Sequence, residues 1–227
     1  MTTPSVRRAQ AEQGSLASWN GKGGDRTFDR FTSNEAAFIA ARDSFYLASV
    51  SESGWPYVQH RGGPAGFLRL LDDRTLAFAD FRGNRQYLSL GNVSADDRVA
   101  LILMDYPNRA RMKILAHMSA VDLASSPGLA ERLLDLRYPA RTERAFILRL
   151  ETFDWNCPQH ITPRLTTAEI EAAIAPLRDR IRALETENAM LRRQLSPCLM
   201  HRSRCMKRLH RKAVHEEPDA ATKPSAC

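Results

Sequence analysis

The apolar and polar positions divide the chain into a polar lead, an alternating middle and a heptad-spaced end. Residues 1–33 are polar, and Gly21-Lys22-Gly23-Gly24 breaks regular structure, so this part reads as an N-terminal arm with Trp19, Phe28 and Phe31 as apolar anchors. Thr32-Ser33-Asn34-Glu35 opens a helix, with Ser33 as N-cap and Glu35 in the first turn, where the helix dipole favours a carboxylate. Ala36, Phe38, Ile39, Ala40 and Ala41 carry that helix to about Arg42.

From there the period is two. Phe45–Val50 reads as a strand, Ser51-Glu52-Ser53-Gly54 as a turn and Trp55–His60 as the returning strand, with Pro56 suited to a strand start or edge. Arg61-Gly62-Gly63-Pro64 interrupts the pattern before a third short strand, Gly66–Leu71, and a fourth, Thr75–Ala79. A short helical piece at Gln86–Leu90 precedes strands at Val99–Met104, Ile114–Val121 and Ala145–Phe153, and Pro127–Arg137 is helical in pattern. Some six short antiparallel strands with few helices describe a small barrel spanning residues 34–163.

After Pro163 the period changes again. Ile170, Ile174, Leu177, Ile181, Leu184, Leu191 and Leu195 recur in alternating steps of four and three, and Asn188 completes the series. This a/d seam, flanked by Glu185, Glu187, Arg192 and Arg193, predicts an amphipathic or coiled-coil helix over 164–195, with Pro176 starting its continuous part. It pairs with a partner helix or packs on its own barrel. Residues 196–227 show no period and are expected to be a disordered basic tail.

The candidate chemistry lies in Leu76–Asn92. An apolar strand stops at Asp80 and empties into Arg82-Gly83-Asn84-Arg85-Gln86. Gly lets backbone N–H groups approach a phosphate, and Arg supplies a planar fork for its oxygens, so the turn is either an anion-binding ledge or an exposed basic turn.

Charge narrows the partners. The net charge is +7, but residues 196–227 hold seven basic against three acidic side chains, +4, leaving +3 for the rest. The folded part therefore lacks the basic face of a nucleic-acid binder. No apolar run is long enough to span a membrane, and the N-terminus lacks the apolar segment of a secretory signal. Cysteines at 157, 198, 205 and 227 match neither a zinc spacing nor a disulfide framework, which makes a reduced, cytoplasmic protein the expectation.

Among nucleophiles and bases, Cys157 has no resolving cysteine at CxxC spacing and reads as a small filler or a redox thiol. Gln59 and His60 are neighbours on a strand and point to opposite faces, so one of them can face a ligand there. His117 stands alone on a strand, at the surface or in the core. No Ser-His-Asp or metal constellation is present in the pattern.

Four stretches together resemble the FMN-binding split-barrel proteins related to pyridoxamine 5'-phosphate oxidase, over about Glu35 to Ile161. They are Phe45–Val50 running into Gly54–Gln59, Phe78–Gln86, Asp97–Leu101, and Glu151–Asn156. The resemblance implies a mainly β (α+β) fold, an antiparallel split β-barrel with flanking helices. It implies FMN along Gln59, His60, Arg61 and Gly62, the isoalloxazine against Ala79, Asp80 and Phe81, and the phosphate at Asn84, Arg85 and Gln86. Many relatives carry Lys where this chain has Gln86, which leaves Arg85 most of the phosphate contact, with Arg82 or Arg61 to supplement it. Gln159 and His160 fall where the last strand ends near the flavin in relatives, as hydrogen-bond donors to the ring or as plain loop residues.

FMN lies between two subunits in this family, so a homodimer follows from the resemblance. The vitamin B6 oxidases proper also carry an Arg-x-His motif after the Trp of the last strand. Here Trp155 is followed by Asn156-Cys157-Pro158-Gln159-His160-Ile161-Thr162-Pro163-Arg164, without it, so fold and cofactor carry over and pyridoxine phosphate oxidation does not. The expected function is an FMN-dependent oxidoreductase acting on a small molecule or a nicotinamide. The alternative is a non-catalytic FMN or haem binding module with a coiled-coil interaction helix, and a third reading is a coiled-coil scaffold whose barrel is structural only.

Overall fold

The computed structural model describes residues 2–19, 28–155 and 158–213. Cys157, Asn156, the Gly21–Gly24 break and residues 214–227 lie outside the described residues, as does the side chain of Trp19. The chain forms two compact units, one up to Arg164 and one from Leu165.

The first unit begins with two helices in the expected polar arm, α1 (Pro4–Glu12), entered through Pro4 in its first turn, and α2 (Leu16–Trp19). Helix α3 (Ser33–Ala40) is capped by Thr32 and not by Ser33. The Glu35 carboxylate accepts from the Thr32 N–H at 2.9 Å and the Thr32 hydroxyl at 2.6 Å, the reach-back of a capping box.

Seven strands follow, β1 (Ser44–Val50), β2 (Pro56–Gly62), β3 (Arg69–Asp72), β4 (Thr75–Phe81), β5 (Arg98–Asp105), β6 (Ala110–Val121) and β7 (Thr142–Trp155). All pair antiparallel in the order β2-β1-β5-β6-β7-β4-β3, the split-barrel arrangement, with α4 (Leu88–Ala95) between β4 and β5 and α5 (Pro127–Leu133) between β6 and β7. Strand β2 includes Arg61 and Gly62, where the sequence pattern predicts an interruption, because β1 continues to pair with them as far as Ser44↔Gly62.

Strand β3 starts later than expected. Gly66 has a φ of 76° and its N–H donates to Arg42 O at 2.8 Å, so the chain turns against the end of α3 before it can extend. A Cβ at Gly66 would also meet Ala40 O at 2.9 Å, which fixes this residue as glycine. Helix α5 stops at Leu133 instead of Arg137, and β6 and β7 are longer than their apolar runs.

The core lies inside the curled sheet. Phe45 of β1 packs edge-on against Phe78 of β4 at 5.2 Å, and Phe78 lies 5.4 Å from Phe146 of β7. Leu47, Leu101, Leu103, Met112, Ile114 and Phe153 are buried around them, in the alternation that a half-buried strand requires. The arm residues Phe28 and Phe31 anchor as expected, each with its ring 5.3 Å from Phe153.

The second unit contains α6 (Thr167–Ala213). It starts nine residues before Pro176, because Thr166 and Glu169 form a capping box in which Glu169 Oε2 accepts from Thr166 N at 2.7 Å and Thr166 Oγ1 at 2.8 Å. It also continues past residue 195 to Ala213, through residues expected to be disordered. Arg, Met, Leu and Lys there are good helix formers without any apolar period. No helix of the described residues is long and apolar enough to cross a membrane.

Candidate functional site

A cleft of about 260 Å³ opens where β2, the end of β4, the following turn, the start of α4 and β7 converge. Strand alternation selects its residues. On β2, Tyr57, Gln59 and Arg61 pair across to Ser49, Leu47 and Phe45, so they share the inward face of β1 and line the cleft. His60, between them, points to the outer face, where its ring lies 5.6 Å from that of Tyr46. Gln59 is thus the residue of the Gln59–His60 pair that reaches the site.

Asp80 and Phe81 line the cleft from β4, while Ala79 is buried opposite Ala145, on the face that alternation turns away. Asn84, Arg85 and Gln86 lie on its rim, as do Tyr87 to Leu90. Gly62 ends β2 outside it, and Gln159 and His160 lie exposed in a turn that this chain's cleft does not include. Seven of the twelve residues singled out from the sequence therefore meet in one place, namely Gln59, Arg61, Asp80, Phe81, Asn84, Arg85 and Gln86.

Charge is arranged in two layers. On the floor, Arg61 Nη1 donates to Asp80 Oδ1 at 2.7 Å and Arg144 Nε lies 3.3 Å from Asp80 Oδ2. Burial pushes the Asp80 carboxyl above its ordinary range, while the two guanidiniums pull against that shift. Arg61 also sits over the rings of Phe78 and Phe146, 5.8 and 5.7 Å from their centroids, and its buried Nε has no hydrogen-bond partner among the described residues.

On the rim, Arg85 and Tyr87 both take left-handed backbone conformations, with φ of 63° and 54°. Two non-glycine residues in that region cost on the order of 1–3 kcal/mol each, a strain that clusters at ligand sites. They also explain why α4 starts at Leu88 and not at Gln86. The Gln86 N–H donates to Asn84 Oδ1 at 3.2 Å, folding the turn, and Arg85 Nε donates to Tyr87 Oη at 3.3 Å. Helix α4 has no side-chain cap on its first N–H groups, which open beside Arg85.

Glu143 and Phe146 reach the site from some 60 positions away and carried no signal in the sequence. Pairing of β4 with β7 shifts between Asp80↔Arg144 and Phe81↔Thr142, leaving Glu143 as the extra residue of a bulge. Its carboxylate accepts from Tyr87 Oη at 3.2 Å and Arg144 Nη2 at 3.1 Å. Burial raises the Glu143 carboxyl, and these donors with Arg82 more than offset it, so the net displacement is downward. Tyr57 was legible, since it lies two residues from Gln59 on the same face. Ser89 of α4 donates to Gln59 Oε1 at 2.8 Å, and Asn92 Nδ2 donates to Ser49 Oγ at 2.9 Å, which together seat α4 against β1 and β2.

The donors suit a phosphate group at the rim. Arg85 and the uncapped N–H groups of α4 offer hydrogen bonds to an anion there, and the Phe81 ring supplies an apolar wall.

A family model described as pyridoxamine 5'-phosphate oxidase matches residues 31–146, half of the chain. Comparison with curated proteins gives no match. Among solved structures, the chain is similar to a putative pyridoxamine 5'-phosphate oxidase from Lactobacillus delbrueckii, at 20% identity over 56% of this chain and 94% of that one, with a TM-score of 0.43. It is also similar to an FMN-binding protein from Syntrophomonas wolfei, at 11% identity, 66% and 97% coverage and a TM-score of 0.41. A third similar structure is an F420 reductase, at 18% identity, 55% and 98% coverage and a TM-score of 0.39. The family match runs from Phe31, just ahead of α3, into β7 and so takes in every strand that builds the cleft: the chain belongs to the pyridoxamine 5'-phosphate oxidase family.

Proposed function

We propose that the cleft holds FMN by its phosphate and that the protein is a flavin-dependent oxidoreductase, passing electrons or hydride between FMN and a small molecule or nicotinamide. The observation that carries this reading is the strained turn that brings Asn84, Arg85 and Gln86 to the uncapped start of α4. Bound FMN supplies the redox chemistry, and the protein's task is to bind and orient it. Arg85 and the α4 N–H groups hold the phosphate, Arg61 is kept in place by Asp80, and Phe81 excludes water from one side. No side chain of the cleft is assigned a proton-transfer role.

One chain encloses about 260 Å³, below the roughly 300–1,000 Å³ of pockets that bury a whole drug-sized ligand. A second copy completes the site in this reading. It is supported by the exposed Tyr46, Trp55 and Val58 and by an apolar depression of about 510 Å³ beside them, lined by Val50, Pro56, Ala100 and Leu115. Gln159 and His160, exposed and outside their own cleft, then serve the second copy's flavin.

The test is to denature the purified protein and identify what it releases, and to follow anaerobic reduction of the bound flavin by NADH or NADPH. Released FMN that accepts electrons supports the reading. Protein that neither carries nor takes up flavin removes it, and tightly held FMN that no donor reduces leaves a binding module.

A further inference from the structure

We propose that α6 pairs with the α6 of a second copy as a parallel, in-register two-stranded coiled coil over Ile170–Leu195, a seam of about 38 Å at 1.5 Å per residue. Among the described residues the seam is largely open: Ile170, Leu177, Ile181, Leu184, Leu191 and Leu195 are between 39% and 64% exposed on a helix.

Their spacing sets the heptad positions. Steps of three lead from a to d and steps of four from d to a, so Ile174, Ile181, Asn188 and Leu195 are a positions, and Ile170, Leu177, Leu184 and Leu191 are d positions. Ile at a with Leu at d is the combination that favours two parallel strands, and a single Asn at a specifies register and dimer state. Pro176 falls at c, on the outer surface of the pair, where its ring does not enter the seam.

Charge and polarity then choose the orientation. In a parallel pair each g residue meets the e residue five positions on in the other strand. Here that joins Arg180 to Glu185 and Glu187 to Arg192, opposite charges in both cases. An antiparallel pair in the register that overlaps the whole seam also joins opposite charges, Arg180 with Glu187 and Arg178 with Glu185, so charge alone does not decide. Asn188 does. In the parallel pair it faces its own copy and the two amides hydrogen-bond, whereas in the antiparallel pair it is buried against Leu177 with no polar partner.

The experiment uses the full chain with Cys157, Cys198, Cys205 and Cys227 replaced by Ser, so that one introduced thiol reports alone. Under mild oxidation Leu191→Cys is expected to give a covalent dimer, because d faces d in a parallel pair. In the antiparallel pair the two sulfurs are about 25 Å apart along the axis. Thr186→Cys, at the outer f position, is expected to cross-link at least tenfold more slowly. Added to Leu191→Cys, Glu185→Arg places two arginines together and is expected to slow cross-linking about fivefold, and Arg180→Glu in the same chain is expected to restore it. Restoration is specific to the parallel pair, since in the antiparallel one Arg180→Glu sets Glu against Glu187. No disulfide at Leu191→Cys in a chain whose helicity is intact by circular dichroism overturns the proposal. So does equal cross-linking at Thr186→Cys, or failure of the charge swap to rescue.

Discussion

Arg61 on β2 and Asp80 on β4 meet at 2.7 Å although their strands lie at opposite ends of the sheet order, β2 at one edge and β4 next to the other. The sheet curls until these two ends face each other, and this ion pair joins them at the floor of the cleft. The side chains retain 16% and 10% exposure, so the pair is largely desolvated. Asp80→Asn leaves Arg61 without its carboxylate and Arg144 with Glu143 alone, and is expected to cost about 1–3 kcal/mol of stability. Urea unfolding of the two proteins checks it; a midpoint unchanged within error rejects the closing role.

The rim is expected to behave differently. Arg85 is exposed and its side chain donates to the half-exposed Tyr87 Oη, so Arg85→Ala is expected to leave thermal stability within about 0.5 kcal/mol. Its effect is on the ligand. Loss of a charge-assisted hydrogen bond, about 1.5–3 kcal/mol, weakens FMN binding roughly ten- to a hundredfold. Titration by flavin fluorescence measures this directly, and unaltered affinity would place the phosphate elsewhere.

Gln86→Lys tests the same rim in the opposite direction. Gln86 is an exposed neutral residue beside Arg85 on the cleft. A second cation is expected to tighten FMN several-fold at low ionic strength, with the gain shrinking as salt screens it. A gain that does not depend on salt would point to a contact other than the phosphate.

Glu35 is buried to 1% exposure and holds the two ends of the barrel domain together. Besides capping α3 it accepts from Trp155 Nε1, at the end of β7, over 2.8 Å. Trp155→Phe keeps the ring contact with Phe38 at 4.7 Å and removes one donor to a buried carboxylate. The expected cost is about 1–3 kcal/mol, read from chemical unfolding. A Trp155→Phe protein as stable as the parent would mean that Glu35 is held by its other partners alone.

Asp105 gives a pH dependence of defined sign. Burial raises its carboxyl, but Asn108 and Arg42, the latter donating from Nη2 at 2.9 Å, more than reverse this and hold it below the ordinary value. A carboxyl lowered by folding stabilises the protein above its unfolded pKa, and the benefit is lost as pH falls through the folded value. The melting temperature of the parent is therefore expected to fall faster than that of Asp105→Asn from about pH 4 downward. Parallel curves for the two proteins in that window would exclude the linkage.

Much of this molecule is written locally in its sequence. Period-two alternation places β1, β2, β5, β6 and β7 to within a few residues, since one buried face forces every second side chain to be apolar, and a short continuous apolar run places β4, buried on both faces. The 3–4 spacing likewise predicts the helix of the second unit, and the turn after Asp80 is recognisable from its Gly, Arg and amide residues. Start points were less legible. Thr166 and Glu169 begin α6 well before Pro176, and left-handed Arg85 and Tyr87 delay α4 to Leu88, because hydrogen bonds and backbone conformation set those ends and no apolar pattern records them. The site itself is non-local. That Arg61 meets Asp80, that Glu143 is turned into the cleft by a bulge, and that His60 and Ala79 face away from it are consequences of how distant strands pair and curl. Sequence alternation says which residues share a face; only the closure of the sheet decides which faces meet.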